Sequence, residues 1–308
     1  MDNFGNLIIR KDTTIIGEIN NLGGQTAYSE APKVYVVNNR TVTYFFDNHG
    51  LTSIVNPGDI LDFQGTISGI NELTSFTINK PINIITTTND GKIDNFTHIT
   101  FTKDSSGSNV TGLYTHNTQF YVKNADHILF NNISNVVENK QVGWGVGQTS
   151  IRENSSYITV KNSYFYTKDN GGSSTLVLAW ADNCIIENNT LEGDGMIGNM
   201  LYITTYNVDI PTGITFNSHN KLINNTIHGP TQSAAICISI CFCGSDNLID
   251  GNIITYSGAG ISKQWGSGID GVETDESAFN SRDNIVSNNK LYGGCGINAG
   301  DIIYNNYD

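Results

Sequence analysis

The sequence predicts an all-β chain wound as a right-handed parallel β-helix, with three short strands per turn and an amphipathic cap at its N-terminal end. Three observations carry this expectation. A short unit of apolar residues, Asn and a closing apolar residue recurs along the second half of the chain. Of the 308 residues, 41 are Asn and 32 are Gly, residues that turn a chain, while strong helix formers are sparse. No segment holds a 3.6-residue apolar period, which excludes helical repeats and bundles.

Residues 1–33 are mixed, with Gly23-Gly24 and Pro32, and read as a strand or hairpin laid on the cap, or as a frayed end. Residues 41–51 are aromatic on one side and polar on the other. They read as the cap, one or two helical turns long, because the end of a solenoid core has to be covered. Residues 58–67 (Gly-Asp-Ile-Leu-Asp-Phe-Gln-Gly-Thr-Ile) form the first full coil, and 76–85 and 99–101 continue it. The domain boundary is therefore placed at 1–56 for the N-terminal segment and cap and 57–308 for the β-helix.

From residue 128 the unit is regular: Ile128-Leu129-Phe130-Asn131-Asn132-Ile133 returns at 158–164, 185–191, 222–227, 248–254 and 285–291, with a partial copy at 302–307. Taking the Asn two places before the closing apolar residue as anchor gives Asn131, Asn162, Asn189, Asn225, Asn252 and Asn289. Short β-branched strands broken by Asn and Gly fit a coil in which each turn pairs in parallel with the next, so like residues stack on like. The anchors are expected to form one column at a turn, where Asn tolerates a left-handed backbone and bonds along the stack. Parallel crossovers are right-handed in nearly all cases. About eight or nine coils follow, roughly 40 Å of solenoid at about 4.8 Å per coil.

Composition narrows the partners. The net charge is −13, so the surface repels phosphate backbones and nucleic acid is excluded. No run of 18 apolar residues is present, hence no membrane span is expected. The start, Met1-Asp2-Asn3, does not read as a signal peptide, so the chain is either cytoplasmic or an excised piece of something larger. Five Cys is an odd count and does not read as a disulfide framework.

Two coils carry insertions, 207–217 with Asp209 and 266–280 with Asp270, Glu273, Asp275 and Glu276, and both fall in the same slot of the repeat. Loops in one slot form one lip on one face, the usual way a repeat protein builds a binding surface. Aromatics gather there: Trp144, Tyr202 and Trp265 each lie 13 residues after an anchor, with Tyr206 close by. Alternation turns Leu201 and Ile203 inward and Tyr202 and Tyr206 outward. The candidate ligand site is thus Tyr202, Tyr206 and Trp265 for sugar-ring stacking, with Asp209, Asp270 and Glu273 setting polarity. The competing reading places these rings in the core. Calcium at the acidic loop is the one cofactor these residues suggest, and a solvated loop is the alternative. Asp126, Asp182, Asp246 and Asp283 recur before each coil and read as turn devices, and no catalytic residue is assigned. Arg152, Lys161, Lys263 and Arg282 are bases near the lip without an acidic pair in their coil position. Cys237, Cys241 and Cys243, spread along one strand, read as packed free thiols.

Several segments are more specific than the Asn-rich coils. Gly-Asp-Ile-Leu-Asp-Phe-Gln-Gly at 58–65, Ile-Asn-Lys-Pro-Ile-Asn-Ile at 78–84, Thr-Gly-Leu-Tyr at 111–114, Thr-Val-Lys-Asn-Ser-Tyr-Phe-Tyr-Thr-Lys at 159–168 and Leu-Val-Leu-Ala-Trp-Ala-Asp at 176–182 resemble the adhesin-like surface proteins of methanogenic archaea. The resemblance covers roughly residues 35–308. It implies a secreted, cell-surface β-helix used for attachment, part of a longer surface protein, with glycans or the surface of another cell as partner. It implies no catalytic residues. The second function class is a polysaccharide lyase or glycoside hydrolase on the pectate-lyase type of solenoid, found also in phage tail spikes. Fold alone does not choose between them.

Overall fold

The computed structural model describes residues 31–138, 147–169, 172–195, 197–204, 217–229, 236–241, 245–264, 283–298 and 302–307. They form the expected right-handed parallel β-helix. An eleven-stranded first sheet runs from Val34–Val37 to Ile302–Tyr304, and two nine-stranded sheets run beside it. The second sheet runs from Thr66–Ile67 to Lys290–Tyr292 and the third from Phe76–Ile78 to Gly296–Asn298. The chain visits first, second and third sheet in turn, so nine described coils are complete, flanked by one extra first-sheet strand at each end.

The strands are short because each needs only one inward side chain in the first sheet. Leu61, Ile84, Val110, Phe130, Val160, Ile186, Leu222, Ile249 and Val286 stack in register as a single buried column. Residues on either side of each alternate outward. In the earlier coils the core is aromatic: Phe76 meets Phe46 edge-on at 4.9 Å and Phe96 at 4.7 Å, and Phe101 meets Phe130 edge-on at 5.2 Å. Such pairs contribute about 0.5–1.5 kcal/mol beyond their burial. Later coils are filled by Ile and Leu.

Residues 41–51 hold a single helical turn, Val42–Phe45, followed by an antiparallel pair, Phe46–Asp47 with Gly50–Leu51. Val42, Phe45, Phe46 and Leu51 are buried against the first coil. One rung lies further upstream than the coil read at 58–67: Val34–Val37 pairs in parallel with Ile60–Phe63.

The Asn ladder needs a correction. Asn189, Asn225, Asn252 and Asn289 do form one column, which continues to Asn306. Each backbone N–H and each side-chain N–H donates to the Oδ1 of the next, at 2.9–3.0 Å. Asn131 and Asn162 are not in it. Their places are taken by Ile133 and Ser163: Ile133 N–H donates to Ser163 Oγ, and Ser163 N–H to Asn189 Oδ1. Asn162 is one position earlier, in a left-handed column with Asn132, Asn188, Asn224 and Asn288, and Asn131 is two earlier, opposite Lys161. The slip arises because the inward place is the one after the left-handed Asn, and in these two coils Ile133 and Ser163 fill it instead of a second Asn. A second ladder, not expected, runs at the opposite end of the first-sheet strands: Cys184 N–H donates to Asn220, Asn220 to Asn247 and Asn247 to Asn284. The recurring aspartates also divide. Asp246 and Asp283 hold left-handed turn positions in line with His219, whereas Asp126 and Asp182 lie one residue earlier and accept hydrogen bonds from Ser156 and Ser218. All four serve turns.

Candidate functional site

The second sheet carries the richest described outer face. Its inward residues include Ile93, Phe165 and Leu191, so their neighbours point to solvent. One outward row, in register, is Lys92, Tyr114, Ser134, Tyr164 and Thr190, and the next is Asp94, His116, Val136, Tyr166 and Glu192. Tyr114, Tyr164 and Tyr166 are all part-exposed. His116 sits between two carboxylates, Nδ1 2.6 Å from Asp94 and Nε2 3.2 Å from Glu138. Tyr164 donates its hydroxyl to Glu192 at 2.7 Å. Lys92 lies 3.7 Å from Asp94 and 5.4 Å from the centre of the Tyr114 ring, and Lys168 lies 3.6 Å from Asp194.

Burial pushes the three tyrosine hydroxyls up, and nearby carboxylates add to it: Asp94 and Glu138 at Tyr114, Glu192 at Tyr164 and Asp194 at Tyr166. These phenols stay protonated through the neutral range and keep an O–H to donate. The face therefore offers flat apolar rings, hydroxyl donors and carboxylate acceptors. That set matches a hydroxyl-rich chain better than an anionic one, because Asp94, Glu138, Glu192 and Asp194 outnumber Lys92 and Lys168.

Sequence reasoning missed this face through the same one-residue slip that misplaced Asn162. With Asn162 as anchor, Tyr164 falls on the closing apolar position and reads as core. In the true register Phe165 is the inward residue, and a slip of one flips every side chain to the other face. The signal was present: Tyr-Phe-Tyr at 164–166 alternates around a central Phe.

The two insertions expected to form a lip lie, apart from Asn217, outside the described residues, while the strands that flank them are described. Both insertions occupy the same connection, from the third sheet to the first: between Asn199–Thr204 and Lys221–Ile223, and between Ala259–Gln264 and Ile285–Ser287. Tyr206, Asp209, Trp265, Asp270 and Glu273 lie outside the described residues. Tyr202 is described. It stands between the core residues Leu201 and Ile203 on the outward side, yet is only 6% exposed, in a small cluster with Val177 and Ala179 apart from the main core.

Beside that cluster the third sheet is bulged. Its register shifts between Arg152 and Ser155 against the next strand, and Glu153, Asn154 and Trp180 have φ of 59°, 65° and 59°. Lys123 and Arg152 are in register on adjacent coils, and both approach Glu153, at 3.6 and 3.1 Å. Among the described residues no group of three His, Cys, Asp or Glu side chains converges as a metal site. Burial pushes the Cys184 thiol up to about 12, so it is no nucleophile at neutral pH. No described helix is long and apolar enough to cross a membrane.

Fold and face together define a parallel β-helix with an aromatic, acidic outer sheet. No family model and no curated protein matches the chain. Among solved structures it is similar to the alginate lyase of Paenibacillus sp. str. FPU-7, at 13% identity over 90% of this chain and 98% of that one, with a TM-score of 0.41. It is similar also to the Streptococcus pneumoniae surface protein and adhesin PfbA, at 12% identity over 90% and 87% of the two chains, TM-score 0.43. A third is the periplasmic alginate epimerase AlgG, solved as a double mutant, at 10% identity over 89% and 73%, TM-score 0.34.

Proposed function

We propose that this chain is an extracellular, cell-surface domain of the adhesin type, which binds glycans or the glycan coat of another cell through one face of its β-helix. The observation that carries this is the outer face of the second sheet, where Tyr114, Tyr164 and Tyr166 stand part-exposed among carboxylates. Aromatic rings stack on the apolar faces of sugars, and carboxylates accept from their hydroxyls. Tyr114 and Tyr164 belong to one row two coils apart, about 9.6 Å at the spacing of neighbouring strands. That is close to the length of one disaccharide in an extended pyranose chain, so successive rings would meet alternate sugars. The resemblance of residues 35–308 to adhesin-like surface proteins of methanogenic archaea supports the same reading. A lip with Tyr202, Tyr206, Trp265, Asp209, Asp270 and Glu273 is a second contact in this proposal, served by two insertions that each follow a strand of the third sheet.

A glycan array probed with the protein and with a Y114A/Y166A variant tests it. Loss of about tenfold in affinity for the glycans bound, the size expected when two stacking rings are removed, with an unchanged melting temperature, supports the platform. Equal binding by the variant, or no glycan bound by either protein, sinks it.

A further inference from the structure

The corner between the first and second sheets carries a chemical signal that the glycan-binding face does not use. Seven Asn-x-Ser/Thr triplets stand in the chain, beginning at Asn39, Asn95, Asn109, Asn132, Asn154, Asn188 and Asn224. We propose that three of these residues, Asn132, Asn188 and Asn224, are sites of covalent N-glycosylation. This rests on the extracellular part of the reading above, because such triplets are acceptors in exported chains, and it is independent of the tyrosine face.

The fold separates these three from the rest. Asn132, Asn188 and Asn224 belong to the left-handed column at the corner, with φ of 53°, 55° and 54°. Each commits its backbone N–H to the next coil, to the carbonyls of Lys161, Ile223 and Asp250. Their side chains remain exposed. Two residues on, Ser134, Thr190 and Thr226 open strands of the second sheet and stand part-exposed in its outward row. Among the described residues, none of the three side-chain amides and none of the three hydroxyls makes a hydrogen bond. Both halves of the acceptor signal, amide and hydroxyl, therefore face solvent on a turn whose backbone is held.

In each of the other four triplets a side-chain group is already engaged. Asn109 donates its amide to Asn83 at 3.0 Å, and Asn95 Oδ1 accepts from Asn117. Asn39 Oδ1 accepts from Ser68 N–H, and the Thr41 hydroxyl donates to the Val36 carbonyl. In the triplet of Asn154, the Ser156 hydroxyl donates to Asp126 at 2.6 Å. The same contrast holds inside the corner column. Asn162 and Asn288 have Tyr164 and Lys290 where a hydroxyl would be needed, and both donate their amides, to Asn131 and Asp250. In this column the amide is free where the triplet is complete and bonded where it is not. That coincidence carries the inference.

The donor class is an oligosaccharide linked through its anomeric carbon to a lipid phosphate. Transfer forms the bond from Asn Nδ2 to that carbon and breaks the bond from the carbon to the phosphate oxygen. The lipid phosphate leaves, and the amide gives up one proton to a base of the transferase. Asn188 and Asn224 lie on adjacent coils, about 4.8 Å apart. That is narrower than a sugar ring with its hydroxyls, so a glycan on one blocks the other. Asn132 is two coils from Asn188 and stands clear.

Glycopeptide mass spectrometry of the protein recovered from the cells that make it, separated into surface and interior fractions, tests this. A sugar mass is expected on Asn132 and on either Asn188 or Asn224, and on none of the other four triplets. S134A/T190A/T226A, which keeps every Asn, should lose the sugar at all three while remaining folded. If that variant does not fold, S134A alone should lose it at Asn132 only. Y114A/Y166A should be glycosylated as the wild type is, so failure of the tyrosine platform is seen separately. A surface protein unmodified at Asn132, Asn188 and Asn224, or modified chiefly at Asn39, Asn95, Asn109 or Asn154, overturns the inference. A protein confined to the cell interior overturns it together with the extracellular reading, so the two failures are told apart.

Discussion

At the scale of single residues, the inward Asn column is the most demanding feature. Asn252 donates from N and Nδ2 to Asn289, donates from Nδ2 to the carbonyl of Leu222, and accepts both N–H groups of Asn225. It is fully buried. Replacing it by Ala leaves donors on Asn225 and the Leu222 carbonyl without their partner, and each unsatisfied buried group costs about 1–3 kcal/mol. Asn252→Ala should therefore lower unfolding stability in urea by about 3 kcal/mol. A loss well under 1 kcal/mol would show that the ladder is ornamental. Asp62 gives a pH prediction. Burial pushes its carboxyl up, but hydrogen bonds from Thr87 N–H, Thr87 Oγ and Gln64 Nε2 outweigh this and hold it below the usual range. A lowered folded value means the contribution is complete above the ordinary aspartate value, about 3.9, and fades as the pH falls through the folded value. Asp62→Asn should thus destabilise the protein at neutral pH and flatten the acid limb of its stability profile; a parallel downward shift at every pH would refute the assignment.

At the scale of elements, register decided what could be read. The strands of the first sheet were visible as Ile, Leu and Val beside Asn, because one inward residue per strand leaves a strong mark. The exact phase was not, because Asn fills both the left-handed place and the inward place after it in the later coils, whereas Ile133 and Ser163 hold the inward place in two earlier ones, and only backbone geometry tells the two places apart. Tyr164 was lost to the core for this reason, and the platform with it. The segment 41–51 shows a related limit. Its aromatic side was legible, while its division into one helical turn and a two-residue antiparallel pair depends on contacts with Phe63 and Phe76 of the next coil. Phe46 is 1% exposed at this junction, and Phe46→Ala should cost about 3–5 kcal/mol. Thermal unfolding followed by far-ultraviolet dichroism measures it; a change under 1 kcal/mol would mean that the hairpin contributes little to holding the first coil.

At the scale of the whole molecule, the solenoid is modular. Residues 226–252 run from one inward Asn to the next, 27 positions after Asn225. Deleting all of them joins Asn225 to Ile253 with every later side chain still on its own face. Stability in such folds is close to a sum of neighbour terms, so the shortened protein should keep a β-sheet spectrum and a cooperative melt. Deleting only 226–251 displaces the junction by one residue and should not, since the following coils enter with inward and outward faces exchanged. Equal stability of the two deletions would contradict the register described above.

The sequence by itself determined the solenoid, its parallel sense, its approximate coil number and the presence of an Asn column at a turn. These follow from local composition repeated many times, and repetition makes a weak signal legible. It also placed the two insertions in one connection. Only the tertiary structure decided which residue of each turn faces in, that Tyr114, Tyr164 and Tyr166 line up with carboxylates on one face, and that Lys123 and Arg152 of adjacent coils both approach Glu153. Tyr114 and its carboxylates, Tyr114 and Tyr164, and Lys123 and Glu153 are 20 to 50 residues apart in the chain, coils have unequal lengths, and a side chain's neighbours on the next rung are fixed by hydrogen-bonded register rather than by any spacing the sequence displays.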